Sequence, residues 1–372
     1  MRESTFNLDL ATQINDGLTQ TSGDGVALAF DTKYGIMFCA YMPGHHGSYG
    51  ESRGKIALSY FPASQPTNIK FIDITAGRRE YVPNIISLGD GKVRVFYEID
   101  SIADCDHFIG YKDFDYLIGE LSEEKYVQIR LEDGTTTNLV RSVLVKYLED
   151  HGYFNHTYVK SEQICMAACT PFKHEDGYYY GTLPSYLSEV ILFRSSDNMA
   201  TLEPFAIYPH QAQYEFDFRF LDGKIHAIFR TNRDVDAISY TTSDDNGKTW
   251  SEPVHFAESI QCRPKIIVHN GHILMSYNYY CMDTGNRPEI QQGRTSIRLC
   301  YGENPDPNKN ARVADLHSKY GIVNVCLVDV MGEVYLGYSS SVLALEYHNG
   351  NSKVRGKDAI RYIRLGDLSE KA

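Results

Sequence analysis

"FDFRFLDGKIHAIF", Phe216 to Phe229, reads as an apolar strand, a turn ending in glycine and a second strand. Five other stretches share the pattern: "ALAFDTKYGIMFCAY", "NIISLGDGKVRVFY", "CTPFKHEDGYYYGTL", "KIIVHNGHILMSY" and "NVCLVDVMGEVYLGY". Their turn glycines are Gly35, Gly91, Gly177, Gly223, Gly271 and Gly332. Glycine recurs there because hairpin turns need positive φ. Six residues beyond each glycine stand Tyr41, Tyr97, Leu183, Phe229, Tyr277 and Tyr338, five of them aromatic. A hairpin unit repeating about every 45–60 residues, in fixed register at turn and aromatic, is the mark of a propeller blade.

The interval from Gly91 to Gly177 is the long one. It holds "YVQIRLEDGTTTNLV", with Gly134 midway, then "LVRSVLVKYLEDHGY", whose spacing is helical and whose Gly152 is a stop signal. The pattern predicts an all-β, six-bladed β-propeller occupying 1–372 as a single domain, with a small inserted hairpin and helix around 120–155. A seventh blade built on Gly134 is the alternative.

The net charge of −12, from 48 acidic and 36 basic residues, argues against nucleic acid or an anionic membrane surface as partner. No run approaches the roughly 18 apolar residues of a membrane span. The opening "MRESTFNLDLATQ" lacks a basic-then-apolar leader, so a cytoplasmic location is expected. The eight cysteines form no CxxC pair, which predicts free thiols in a reducing compartment and no zinc ribbon. Without secretion the "NHT" sequon at Asn155 is expected to be idle. No cofactor and no metal site is expected; His45, His46 and Asp283 could meet only in three dimensions.

"SDDNGKTW", Ser243 to Trp250, ends on the chain's single tryptophan. Ser243 and Asp245 can bond amides of their own turn, Gly247 supplies positive φ, and Thr249 precedes a ring free to bury between strands. The octet is similar at every defined position to the Asp box, S-x-D-x-G-x-T-W, of the sialidase superfamily. "SSDNMATL" is a weaker copy, with Ser195, Asp197 and Thr201 in register but Met199 and Leu202 in place of glycine and tryptophan. The resemblance implies a BNR-repeat propeller in which the octet is structural and lies away from the active face.

In a propeller, residues just before each inner strand and just after each second strand crowd one axial mouth. Eight residues back from the turn glycines stand Ala27, Pro83, Cys169, Glu215, Arg263 and Asn324; seven forward stand Met42, Glu98, Pro184, Arg230, Asn278 and Ser339. The charged members are Glu98, Glu215, Arg230 and Arg263. They either pair with one another (Glu215 with Arg230, Glu98 with Arg263) or hold a ligand. The sialidase resemblance implies that Glu215 polarises a tyrosine nucleophile and that Arg230 and Arg263 grip a substrate carboxylate. A third arginine would be Arg287 or Arg294, with Arg78 and Arg79 competing. Tyr320 lies nearest the family's nucleophile position, with Tyr214, Tyr277 and Tyr279 as alternatives; Tyr277 and Glu98 are also substrate-binding candidates.

The first blade departs from the family. It reads "GDGVALAF" where sialidases usually carry Arg-Ile-Pro. The following loop, "MPGHHGSYGESRGKIALSY", offers His45, His46, Tyr49, Glu51 and Arg53, with Glu51 nearest the family's acid position. Histidine titrates near neutrality and suits general acid or base work. Three readings stand open. One is a sialidase-like glycosidase on a terminal, acidic sugar of a glycan. Another is a histidine- and tyrosine-dependent lyase or glycosidase on a related propeller. The third is a non-catalytic glycan-binding propeller.

Overall fold

A computed structural model of the chain describes residues 6–8, 11–14, 23–43, 55–77, 80–100, 107–153, 169–184, 188–231, 237–256, 263–279, 296–306, 309, 311–317, 321–341 and 359–368. Most of these lie in strands, chiefly antiparallel, arranged as six blades. Blade 1 runs outward through Gly23–Asp31, Ile36–Pro43, Ala57–Pro62 and Lys70–Asp73. Blade 2 runs through Glu80–Gly89, Lys92–Asp100, His107–Asp115 and Glu120–Leu121. Blades 3 and 4 share the long strand Thr201–Leu221. Its first half pairs with Ser188–Ser195 as the outer edge of blade 3, and its second half pairs with Lys224–Thr231 as the inner strand of blade 4. Blade 5 is Lys265–His269, His272–Asn278, Ser296–Gly302 and Arg312–His317. Blade 6 is Gly321–Val330, Glu333–Ser341 and Ala359–Gly366.

The first residues of the chain close the ring. Thr12–Gln13 pairs with Ala359–Gly366 as the fourth strand of blade 6, and Phe6–Asn7 adds in parallel to Arg312–His317 of blade 5. Tyr338 donates its hydroxyl proton to the Leu8 carbonyl at 2.8 Å, fixing this return. Such a closure ties the last blade to the start of the chain and leaves fewer open strand edges.

All six turn glycines have positive φ. In blades 2, 4, 5 and 6 the preceding residue is also left-handed (Asp90, Asp222, Asn270, Met331), which makes the two-residue turn that matches strand twist. The six residues at the repeated aromatic position are all buried, none more than 2 % exposed, and pack between blades. Tyr277 is among them. It stacks on Phe256 at 5.2 Å, and burial raises the pKa of its hydroxyl far above the usual tyrosine range. Its expected contact with substrate is therefore corrected to a core role. Tyr279 is buried as well, under the Arg298 guanidinium at 4.2 Å.

The insert is a hairpin, Gln128–Arg130 with Thr136–Asn138, and a helix, Arg141–Asp150, rather than a seventh blade. The hairpin joins Thr201–Leu221 in parallel at the rim of blade 3. Leu144, Tyr147 and Leu148 of the helix fill the gap between blades 2 and 3. The helix stops as Gly152 predicts: φ there is 84°, its amide bonds Glu149, and the Tyr153 amide reaches back to Leu148. Among the described cysteines, Cys39, Cys169, Cys300 and Cys326 are buried free thiols. No helix among the described residues is long and apolar enough to cross a membrane.

Candidate active site at the axial mouth

The mouth is shaped by bulges at one level of the inner strands. In blade 1, Gly25 and Val26 face the single Tyr41; in blade 2, Val82 and Pro83 face Tyr97; in blade 6, Asn324 and Val325 face Tyr338. The lone residue on each second strand is the repeated aromatic. Blade 4 goes further: pairing jumps from Gln213 with Arg230 to Phe216 with Phe229, so Tyr214 and Glu215 have no cross-strand partner. Bulges re-aim side chains and terminate pairing, and they recur beside active sites. Glu215 is thus presented by a two-residue irregularity in the ladder.

Glu215 and Arg230 come together as expected, Oε2 to Nη1 at 3.7 Å, with side chains 14 % and 21 % exposed. Glu215 Oε2 is buried and lacks a hydrogen bond among the described residues. Arg263, half-buried where blade 5 begins, has its Nε buried and without a hydrogen-bond partner among the described residues. A half-buried carboxylate and half-buried guanidinium groups, with atoms shut off from water, are costly unless pairing or a ligand completes them.

Glu98 lies on blade 2 at the same end, and its Oε1 is 2.9 Å from His107 Nδ1. The two side chains are 2 % and 7 % exposed. The sequence pattern did not single out His107, because only the register of Lys92–Asp100 against His107–Asp115 brings it there. Asn278 donates toward the carbonyls of Ser296 and Ile322, tying blade 5 to blade 6. Met42 and Ala27 are core residues.

Beneath the mouth the axis is closed. "CTPFKHEDGYYYGTL" was expected to start with a regular inner strand, but only Phe172–Lys173 pairs there. Pro171 has no amide proton to give to a ladder. The preceding residues cross the axis instead. Asn84 of blade 2 donates to the Cys169 carbonyl at 2.7 Å, and Arg219 of blade 4 to the Thr170 carbonyl at 3.2 Å. Lys265 of blade 5 lies 3.3 Å from Thr170 Oγ1, and Cys326 of blade 6 lies 3.8 Å from it. Burial, chiefly, pushes the Cys169 thiol up to about 12, so it is an inert part of this plug. Asp217 accepts from Arg219 at 2.8 Å and from the Ile266 amide at 3.2 Å. Asp217 and Arg219 follow Glu215 at the two-residue strand period, as Lys265 follows Arg263. That alternation was the readable signal for the floor.

His45, His46, Tyr49 and Glu51, Arg287 and Arg294, Tyr320, Arg53, Arg78, Arg79, Asp283 and Asn155 lie outside the described residues, as does the side chain of Tyr214. Among the described residues no group of three or more His, Cys, Asp or Glu side chains could hold a metal ion.

The octet lies at the far end of blade 4, between Ile238–Ser243 and Val254–Phe256. Ser243 Oγ accepts the Gly247 amide at 2.8 Å, and Asp245 accepts the amide and hydroxyl of Thr249 at 2.8 and 2.7 Å. The Thr249 hydroxyl, first, and then its amide hold the Asp245 pKa down to about 2. Trp250 packs edge-on against Tyr208 at 5.1 Å. The weaker copy makes the same bonds, from Met199 to Ser195 and from Thr201 to Asp197.

No family model matches the chain, and no curated protein does. Solved structures do match. A Dyadobacter fermentans protein of unknown function superposes with a TM-score of 0.61 at 12 % identity, covering 95 % of this chain and 96 % of that one. The Hadza microbial sialidase Hz136 gives 0.62 at 12 %, covering 92 % and 66 %. Trypanosoma rangeli sialidase in complex with sialic acid gives 0.54 at 11 %, covering 92 % and 54 %. The chain therefore spans about two thirds of the first sialidase and about half of the second. At these identities the likeness is one of fold: the chain is a six-bladed propeller of the sialidase-like kind.

Proposed function

We propose that the protein is a glycoside hydrolase of the sialidase-like type that removes a terminal, acidic sugar from a glycan. The observation that carries this reading is the mouth of blades 4 and 5: Glu215 raised on a bulge beside Arg230, with Arg263 Nε unpaired among the described residues. Guanidinium groups recognise a carboxylate in two-point geometry. A glutamate beside such a group can take the proton of a hydroxyl nucleophile or of water as the glycosidic bond breaks. Tyr320 is the nucleophile candidate, and Glu51 or the His45–His46 pair the candidate acid. The octets, which resemble Asp boxes, would then serve only to fix outer strands.

The assay is release of chromophore from an aryl sialoside and an aryl glucuronide. Arg263→Met is expected to raise KM about 10–100-fold, the loss of one charge-assisted contact, with kcat less affected. Unchanged KM on an acidic substrate excludes Arg263 from the grip. Failure of both substrates to turn over removes the reading.

The Glu98–His107 contact favours one second reading, a lyase in which a histidine takes the proton beside a uronate carboxylate. Growth of the ultraviolet absorbance of an unsaturated uronate, lost in His107→Asn, distinguishes it from hydrolysis.

A further inference from the structure

The plug of Cys169–Pro171 divides the axis into two compartments. The upper one is the mouth. The lower one is a cavity of about 1270 Å³ that opens at the end of the hairpin turns, and every blade contributes to its wall. Arg219, with an 8 % exposed side chain, forms part of its roof together with Thr170. Thr170 is bonded to or in contact with blades 4, 5 and 6, so this segment stands between the lower cavity and the mouth.

Its walls differ in chemistry. Blades 1, 2, 5 and 6 contribute mainly aliphatic surface. Blades 3 and 4 contribute rings: Phe172, His174 and Phe220 are only partly buried, and the His174 and Phe220 rings lie 4.9 Å apart, tilted by 37°. Between the rings, Lys173, Arg194 and Lys248 stand against Glu175, Asp176 and Asp222, so the charges on this wall balance. Arg219 is paired with Asp217, and the Asp329 carboxylate of blade 6 lies 2.5 Å from His269 Nδ1. A balanced wall gives no advantage to an anion or a cation. A wall of rings broken up by charges is also a poor match to a long alkyl chain, whose burial leaves those groups without water. It suits a neutral molecule with apolar faces and a hydroxylated edge, which can lie on the rings while donating to carboxylates and accepting from ammonium groups. The volume exceeds what one hexose needs and lies above the usual range of small-ligand sites, leaving room for several sugar rings.

We propose that this lower cavity is a second carbohydrate-binding compartment, separate from the mouth, that takes a short neutral oligosaccharide. It does not depend on the mouth being catalytic. The probes are lactose, cellotriose and chitotriose, followed by calorimetry and ligand-observed NMR on the full chain carrying Glu215→Gln and Arg263→Met, which disable the mouth. At least one probe is expected to bind with millimolar or tighter affinity. His174→Ala and Lys248→Ala in that background are each expected to weaken binding about 5–10-fold, one lost contact apiece, with unchanged thermal melts. The same two substitutions in the otherwise unaltered chain leave turnover at the mouth unchanged. Absence of binding by all three probes, or binding indifferent to His174 and Lys248, overturns the proposal. Binding of laurate but of no sugar overturns it in favour of an apolar ligand.

Discussion

Glu215→Gln is expected to lower kcat on an acidic-sugar substrate by about 10²–10⁴-fold while leaving KM within a few-fold, the signature of a group whose proton chemistry matters only as the bond breaks. The amide keeps the shape of the side chain and can still sit on the bulge. It cannot take a proton. The 3.7 Å contact with Arg230 gives the competing account, in which Glu215 is there only to neutralise a guanidinium. That account predicts something else. Losing the negative charge would cost about 1 kcal/mol of stability, as partly exposed ion pairs do, with kcat untouched. It would also free Arg230 for a substrate carboxylate and lower KM. A steady-state split of kcat and KM, read beside a thermal melt, separates the two. Full kcat in Glu215→Gln makes Glu215 a structural partner of Arg230 and withdraws it from the chemistry.

The blades were legible because each repeats a local device. A left-handed turn at glycine and an aromatic six residues later are written within one hairpin, so Gly223 and Phe229 could be read without knowing what surrounds them. Tyr277 shows the limit of that reading. The register fixed its place in the hairpin but not whether it meets substrate or core, and packing against Phe256 puts it in the core. The features that shape the candidate site depend on partners far along the chain. The bulge at Tyr214 and Glu215 exists only through the register with Lys224–Thr231. The plug exists because Pro171 releases its segment to groups of blades 2, 4, 5 and 6. The ring closure by Thr12–Gln13 joins residues about as far apart as the chain allows, in a strand too short to show periodicity. That Glu215 and Arg230 meet was nonetheless legible in the sequence, because a strand end has a fixed place relative to its turn.

Gly247→Ala is expected to destabilise the fold by about 2–4 kcal/mol, combining left-handed strain with overpacking. At φ 85° an L side chain is strained, and a Cβ here would stand 2.5 Å from Ala206 Cβ. Ala206 Cβ is held by the backbone of the neighbouring strand and cannot swing aside. The other octet is the control. Met199 occupies the same place at φ 67°, makes the same amide bond to Ser195 and is fully buried. There the bulky tryptophan is replaced by Leu202, and the thioether fills the gap between blades 2 and 3. Met199→Gly relieves the backbone but empties a cavity, and the loss of a buried side chain exceeds the relief, so it too destabilises. The two octets thus share hydrogen bonds and differ in what their fifth position must pack against. Denaturant midpoints of Gly247→Ala and Met199→Gly measure that difference. A Gly247→Ala protein as stable as the parent would mean that the contact with Ala206 is softer than the geometry allows, and that the octet tolerates any residue able to turn left-handed.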